Sequence, residues 1–261
     1  MTQQLLKGKT AIVTGAGSGI GKATAHLLAE DGVRVLIMAR TENALTKTRA
    51  DILAQLPNAQ IEVFAGDACQ DAAVEAAVER AYALSGRLDI LVPAVGGPDY
   101  KPVSVLDRAS VIHMLELNFV SAFLLIHYGL RKMTRGGAIV CVSTGAVGQA
   151  NFGLSAYTAA NAALERFVRA AAFELGSTGI RINIVRPGAT LSAEAIKAKN
   201  LSQIAEQYAA ATPLGRIGDP YDVARILRFL ASPESSWVTG EIISADGGMQ
   251  QCKAPDLMGL V

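Results

Sequence analysis

Short β-branched apolar runs alternate along the chain with stretches whose apolar residues recur every three or four positions. The first run, Thr10-Ala11-Ile12-Val13-Thr14, is apolar on both faces and closed by glycines, as a central strand covered from two sides requires. A helical period follows over about 20–30, with Ala23, Leu27 and Leu28 on one side and Asp31-Gly32 as its stop. The pattern then predicts strand 33–38, helix 42–55, strand 60–64, helix 71–84, strand 88–92, a long helical region 104–133 and strand 138–142. The second half reads as helix 156–175, strand 180–185, a looser helical stretch 193–210, helix 220–231 and strand 241–245. Alternation of this kind predicts an α/β fold: one doubly wound parallel sheet of about seven strands, with helices on both faces and right-handed crossovers.

No internal repeat, low-complexity segment or Pro/Ser-rich linker divides the 261 residues, so a single domain over 1–261 is expected. Pro187 to Pro213 is the best candidate for an insertion after a strand, and its Ala, Glu and Lys content suggests helices. Hydrophobic residues at 51% against 18% charged exclude intrinsic disorder. A formal charge of +1 without a basic run argues against nucleic acid as a partner. The opening Met1–Lys9 has no apolar core of a secretory signal. Segment 119–130 is the most membrane-like, but His127 interrupts it and it reads as too short to span, so no membrane partner is expected. Cys69, Cys141 and Cys252, odd in number and widely spaced, suggest reduced thiols in a cytoplasmic protein. His26, His113 and His127 do not form a metal spacing. The last thirteen residues, from Met249, are candidates for docking on a neighbouring subunit.

Candidate chemistry begins at Thr14-Gly15-Ala16-Gly17-Ser18-Gly19-Ile20-Gly21, which joins the first strand to the first helix. Glycines there permit a sharp turn and bring amide N–H groups close to a pyrophosphate at a helix N-terminus, where the helix dipole favours an anion. The spacing is T-G-x-x-x-G-I-G rather than G-x-G-x-x-G, since Ile20 takes the last glycine position. In this the chain resembles the short-chain dehydrogenase/reductase family, and the resemblance covers nearly its whole length.

The resemblance implies a Rossmann-type dinucleotide-binding fold and assigns residues to it. Gly15, Ser18, Gly19, Ile20 and Gly21 would hold the cofactor phosphates, and Asp67 with Ala68 after the third strand would contact adenine. Asn118, in the long helix, matches the asparagine that holds a water of the proton relay. Arg186-Pro187-Gly188 matches the loop over the nicotinamide, with Pro187 and Gly188 as its contacts, and a substrate lid would follow over about 189–212. Pro213–Gly218 and Ala245–Gly248 look like the family's C-terminal landmarks. The helices around 115–130 and 156–175 would form a four-helix interface, implying a homodimer or homotetramer.

The second strand ends Ala39-Arg40-Thr41. An acidic residue there would bond an adenosine 2′-hydroxyl and repel a 2′-phosphate, whereas Arg40 can pair with that phosphate. The sequence therefore favours NADP(H) over NAD(H).

Hydride transfer between nicotinamide and a carbonyl or alcohol carbon is the implied reaction. Tyr157 matches the tyrosine that gives or takes the proton. Thr144 stands thirteen residues earlier, at the family's serine position, and keeps a hydroxyl of equal hydrogen-bonding capacity. Ser143 would face the other way. The family motif Tyr-x-x-x-Lys is here Tyr157-Thr158-Ala159-Ala160-Asn161. Four residues apart on a helix still places both side chains on one face, so Asn161 can contact the ribose, but it carries no charge. A cation about 4 Å from a tyrosinate, at an effective dielectric near 20, is worth about 4 kcal/mol, or about three pKa units. A second departure is Pro93-Ala94-Val95-Gly96 where the family has Asn-Asn-Ala-Gly.

Two readings result: an oxidoreductase for a small carbonyl/alcohol substrate with an altered proton relay, or a nucleotide-binding member without ordinary redox turnover. Leu154, Ala189, Leu191 and Ile196 suggest an apolar substrate entrance. Cys141, in a buried strand, reads as packing rather than a nucleophile.

Overall fold

The run Thr10–Thr14 forms β1, buried at every position. In the computed structural model, which describes residues 5–198 and 200–251, it lies near the centre of a seven-stranded parallel sheet. The other strands are β2 (Arg34–Ala39), β3 (Ile61–Ala65), β4 (Leu88–Val92), β5 (Met133–Val142), β6 (Arg181–Pro187) and β7 (Ile242–Ala245). They are ordered β3-β2-β1-β4-β5-β6-β7. The chain builds outwards from β1 to β3, returns to the middle at β4, and builds the other way. That reversal leaves a crevice beyond the carboxyl ends of β1 and β4.

Alternation within β1 assigns its side chains to two cores. Ala11 and Val13 face α1 (Gly19–Glu30), α2 (Glu42–Gln55) and α9 (Pro220–Ala231), packing with Leu28, Leu45, Val223 and Leu227. Ile12 faces α3 (Asp71–Ala83), α5 (Ser121–Leu130) and α6 (Ser155–Leu175), packing with Val74, Leu125 and Leu164. Both faces are therefore dry, which is why the strand carries no polar alternation.

At the amino edge of the sheet, buried Asp89 of β4 accepts from the Thr10 amide (3.0 Å), Thr134 Oγ1 (3.0 Å) and Arg87 Nε (2.8 Å). Lys9 Nζ lies 3.3 Å away. One carboxylate thus ties three strands together at the end opposite the crevice.

The structure differs from the sequence pattern in three places. The helical region expected over 104–133 is a short 3-10 turn (Val103–Val105), then α4 (Arg108–Leu115), a π turn (Glu116–Val120) and α5, ending at Leu130. Residues from Met133 belong instead to β5, whose pairing with β4 shifts register between Leu88 and Ile90. Gly136, at φ 78°, makes that early strand segment possible. The π turn keeps Arg108–Leu130 one continuous helix of 23 residues, long and apolar enough by length and composition to cross a membrane. It is longer than the segment 119–130 read from the sequence, and its inner face packs on α3 and the sheet. The stretch 193–210 is two helices, α7 (Ala193–Ala198) and α8 (Ser202–Ala211), with Asn200 at φ 52° between them.

Of the thirteen residues that are candidates for docking on a neighbouring subunit, Met249 and Gln250 bond within this chain: Gln149 Nε2 donates to the Met249 carbonyl (2.6 Å) and Gln250 N–H donates to Asp246 Oδ2 (3.0 Å). Residues 252–261, Cys252 included, lie outside the described residues, as do Met1–Gln4 of the opening segment.

Candidate active site

A cleft of about 1040 Å³ opens at the crevice between β1 and β4 and runs to the carboxyl ends of β5 and β6. Gly15, Ser18, Gly19, Ile20, Gly21, Arg40, Asp67, Ala68, Asn118, Thr144, Tyr157, Asn161, Pro187 and Gly188 all line it. The fold thus brings together residues spread over more than half the chain.

One end is a backbone cradle. Gly15 sits at φ 68°, and a Cβ there would lie 2.5 Å from the Ala94 carbonyl oxygen, so only glycine lets the turn pass beneath β4. Ser18 is the N-cap of α1, but its side chain caps nothing and the first turn holds no acidic residue. The leading N–H groups of α1 are therefore available to an anion, with the helix dipole behind them. Asp67 Oδ1 accepts from the Cys69 amide (3.0 Å), and this turn presents Asp67 and Ala68 to the same end. Burial, with Asp67 beside it, pushes the Cys69 thiol up to about 11. Burial raises Cys141 as well, so both remain thiols at neutral pH.

The other end carries hydroxyls and amides. Thr144 lies just beyond β5 as the N-cap of a short 3-10 turn, accepting at Oγ1 from the Ala146 amide (3.2 Å), with its side chain beside the Tyr157 phenol. Burial raises the phenol above its ordinary value, and the Thr144 hydroxyl only partly offsets this. Asn161, only 3% exposed, turns its amide back to donate to the Tyr157 carbonyl (3.0 Å). The position usually held by an ammonium is neutral.

Asn118 lies in the π turn. Its Oδ1 accepts from the Gly97 amide (2.9 Å), while Nδ2 donates to the Gly97 and Met114 carbonyls (3.3 and 3.1 Å). Its side chain is thus committed to holding the turn after β4. Gly96 passes so close that a Cβ would sit 2.8 Å from Asn118 Oδ1. At Pro93-Ala94, Thr14 Oγ1 accepts from the Ala94 amide (3.2 Å) and the Val142 amide donates to the Pro93 carbonyl (3.2 Å), tying the end of β4 to β1 and β5.

Ser143, expected to face the other way, also lines the cleft, while its hydroxyl donates to Glu165 Oε1 (2.7 Å), and Glu165 also pairs with Arg186. Sequence reasoning assigned Glu165 no role, although an acidic residue two turns beyond Tyr157 on the same helix face was the available signal. Tyr100, Tyr208, Met249 and Gln250 also line the cleft and carried no motif. Leu154, Ala189 and Leu191 line it as expected; Ile196, on α7, does not.

Residues 15–250 match the family model described as enoyl-(acyl carrier protein) reductase. A short-chain type dehydrogenase/reductase from Mycobacterium ulcerans superposes with a TM-score of 0.88 at 29% identity, over 98% of this chain and 94% of that one. The chain belongs to the short-chain dehydrogenase/reductase family.

Among relatives in this short-chain family, cis-4-hydroxycyclohexanecarboxylate dehydrogenase of Sinomonas cyclohexanicum is 39% identical over 92% of this chain and 96% of its own. A 7α-hydroxysteroid dehydrogenase, solved with NADH and 7-oxo glycochenodeoxycholic acid, is 33% identical with a TM-score of 0.87, covering 94% and 96%. An NADPH-bound short-chain oxidoreductase from Pseudomonas aeruginosa PAO1, described as containing an atypical catalytic centre, is 30% identical with a TM-score of 0.88, covering 94% and 98%.

Proposed function

We propose that this short-chain family member is an NADP(H)-dependent oxidoreductase that interconverts a small, uncharged ketone and alcohol, using an altered proton relay. The observation that carries the reading is one cleft with a glycine cradle at one end and the Thr144–Tyr157 hydroxyl pair at the other. Residues 1–261 act as one domain, with α7 and α8 as the substrate lid over about 189–212. Arg40, beside the Ser18–Gly21 cradle and with no acidic residue at the end of β2, supports NADP(H) over NAD(H).

When bound, the nicotinamide supplies or accepts the hydride. The chain's own part is binding, orientation and proton handling. Gly15 to Gly21 would receive the phosphates, Asp67 and Ala68 would hold the adenine end, and Pro187, Gly188 and Asn161 would hold the nicotinamide ribose. Thr144 holds the substrate oxygen while Tyr157 Oη gives up or takes its proton. With its pKa raised and no ammonium at 161, Tyr157 stays a neutral phenol at neutral pH, which suits it to protonate a carbonyl oxygen. Asn118 acts by holding the Gly96–Gly97 turn that forms one wall.

Among the described lining residues only Arg40, Asp67 and Asp246 bear charge. The first two lie at the adenosine end, and Asp246 is occupied by the Gly248 and Gln250 amides (3.0 Å each). The catalytic end is walled by Tyr100, Leu154, Leu191, Ile204 and Tyr208, so an uncharged alicyclic or aliphatic substrate fits it. A cytoplasmic setting agrees with the free thiols of Cys69 and Cys141.

The test follows loss of the reduced-nicotinamide absorbance with uncharged cyclic ketones. Turnover that disappears in Tyr157→Phe while NADPH affinity persists supports the reading. The neutral Asn161 favours a second reading, nucleotide binding without redox turnover. Calorimetric NADPH binding with no absorbance change across the ketone panel would establish that one instead.

A further inference from the structure

Glu165 and Arg186 form an ion pair behind the catalytic end of the cleft, which neither side chain lines. The Glu165 side chain is 7% exposed and that of Arg186 is 21%. Arg186 Nε donates to Glu165 Oε1 (2.7 Å) and Nη2 donates to Oε2 (2.5 Å), a bidentate fork. The same Oε1 accepts from Ser143 Oγ (2.7 Å). Arg186 Nη1 donates onward to Gln250 Oε1 (3.2 Å), and Gln250 Nε2 donates to Ser244 Oγ (2.8 Å) and Asp246 Oδ2 (3.0 Å).

Each partner adjoins a group the reaction needs. Ser143 precedes Thr144, Arg186 precedes Pro187-Gly188, and Glu165 stands on the face of α6 that carries Tyr157 and Asn161 at four-residue steps. Taking two charges out of water is costly, and replacement of a buried pair by apolar residues of similar volume is often neutral or stabilising. Stability alone therefore gives a poor account of a carboxylate here. The directionality of its bonds gives a better one, because a bidentate fork with a third donor admits one relative placement of β5, β6 and α6.

We propose that Glu165 is the positioning residue of this site, and that through Ser143 and Arg186 it holds Thr144, Tyr157 and the Pro187–Gly188 loop in reactive register. In a family member lacking the lysine that would grip cofactor and tyrosine together, this carboxylate joins the same elements from behind. The inference rests on the hydride-transfer reading of the cleft.

The experiment compares wild type, Glu165→Gln and the double variant Glu165→Leu/Arg186→Leu in NADPH-dependent reduction of an uncharged cyclic ketone, with melting temperature and NADPH affinity measured in parallel. Positioning predicts that the double variant melts at or above the wild-type temperature, binds NADPH within about threefold of wild type, and loses at least about tenfold in kcat with little change in KM. Glu165→Gln, which retains bulk and one acceptor, falls between the two in kcat. A double variant with wild-type kcat overturns the proposal. If the double variant does not fold, Glu165→Gln decides: reduced kcat at unchanged NADPH affinity supports positioning, and wild-type kcat refutes it. Wild-type protein that binds NADPH and reduces nothing overturns the hydride-transfer reading, and this proposal with it.

Discussion

Tyr157 is buried among neutral groups, and its raised pKa fixes the sign of its pH behaviour. Reduction needs the protonated phenol, so its rate stays level through neutral pH. Alcohol oxidation needs the phenolate, so its rate keeps climbing past the ordinary tyrosine range of about 10. Initial rates in both directions across pH check this, and an oxidation rate that levels off near neutrality contradicts it. Asn161→Lys adds a cation at the position one turn from Tyr157, and the oxidation profile moves to lower pH by up to about three units while the fold is kept. An unmoved profile refutes the electrostatic argument. The exchange of Lys for Asn was readable in the sequence. That the Asn161 amide bonds back to the Tyr157 carbonyl was not, because a side-chain rotamer depends on what packs around it.

Among the elements, the β1–α1 turn and the base of β4 are the two most exacting joints. Gly15→Ala forces a Cβ against the Ala94 carbonyl at a left-handed φ, so NADPH affinity falls at least about tenfold, measured by calorimetry. Wild-type affinity in that variant would separate the turn from nucleotide binding. At the opposite edge of the sheet, burial raises the Asp89 carboxyl, but Arg87, the Thr10 amide, Lys9 and Thr134 more than offset it and leave the pKa lowered. A lowered carboxyl contributes stability above its unfolded pKa and loses it as pH falls through the folded one. Asp89→Asn therefore destabilises the fold at neutral pH by about 1–3 kcal/mol, and its penalty shrinks in acid. Denaturant melts at neutral and acidic pH measure both. Strand and helix positions were legible because buried strands and amphipathic helices differ in period. The start of β5 at Met133 was not, since Arg131-Lys132-Met133-Thr134 carries neither period and the register shift against β4 decides it.

Across the whole molecule, Phe119 of the π turn, Phe123 of α5 and Phe167 of α6 form a half-buried aromatic cluster, with ring centroids 5.9–6.5 Å apart. Phe173 is 91% exposed and Trp237 fully so. Apolar surface of this kind marks interfaces, and together with the family resemblance it supports a homodimer or homotetramer. Light scattering is expected to give two or four copies for the wild type and fewer for Phe123→Asp; a monomeric wild type ends the argument. The succession of strands, most of the helices, the glycine turn and the identity of Thr144, Tyr157 and Asn161 were legible along the chain, because period, turn chemistry and motif spacing are local properties. Folding alone brought Met249 and Gln250 to the cleft, set Asn118 against Gly97 and joined Ser143 to Arg186 through Glu165. Those contacts link residues far apart in the chain, and their geometry follows from how β5, β6 and α6 pack rather than from any pattern within one segment.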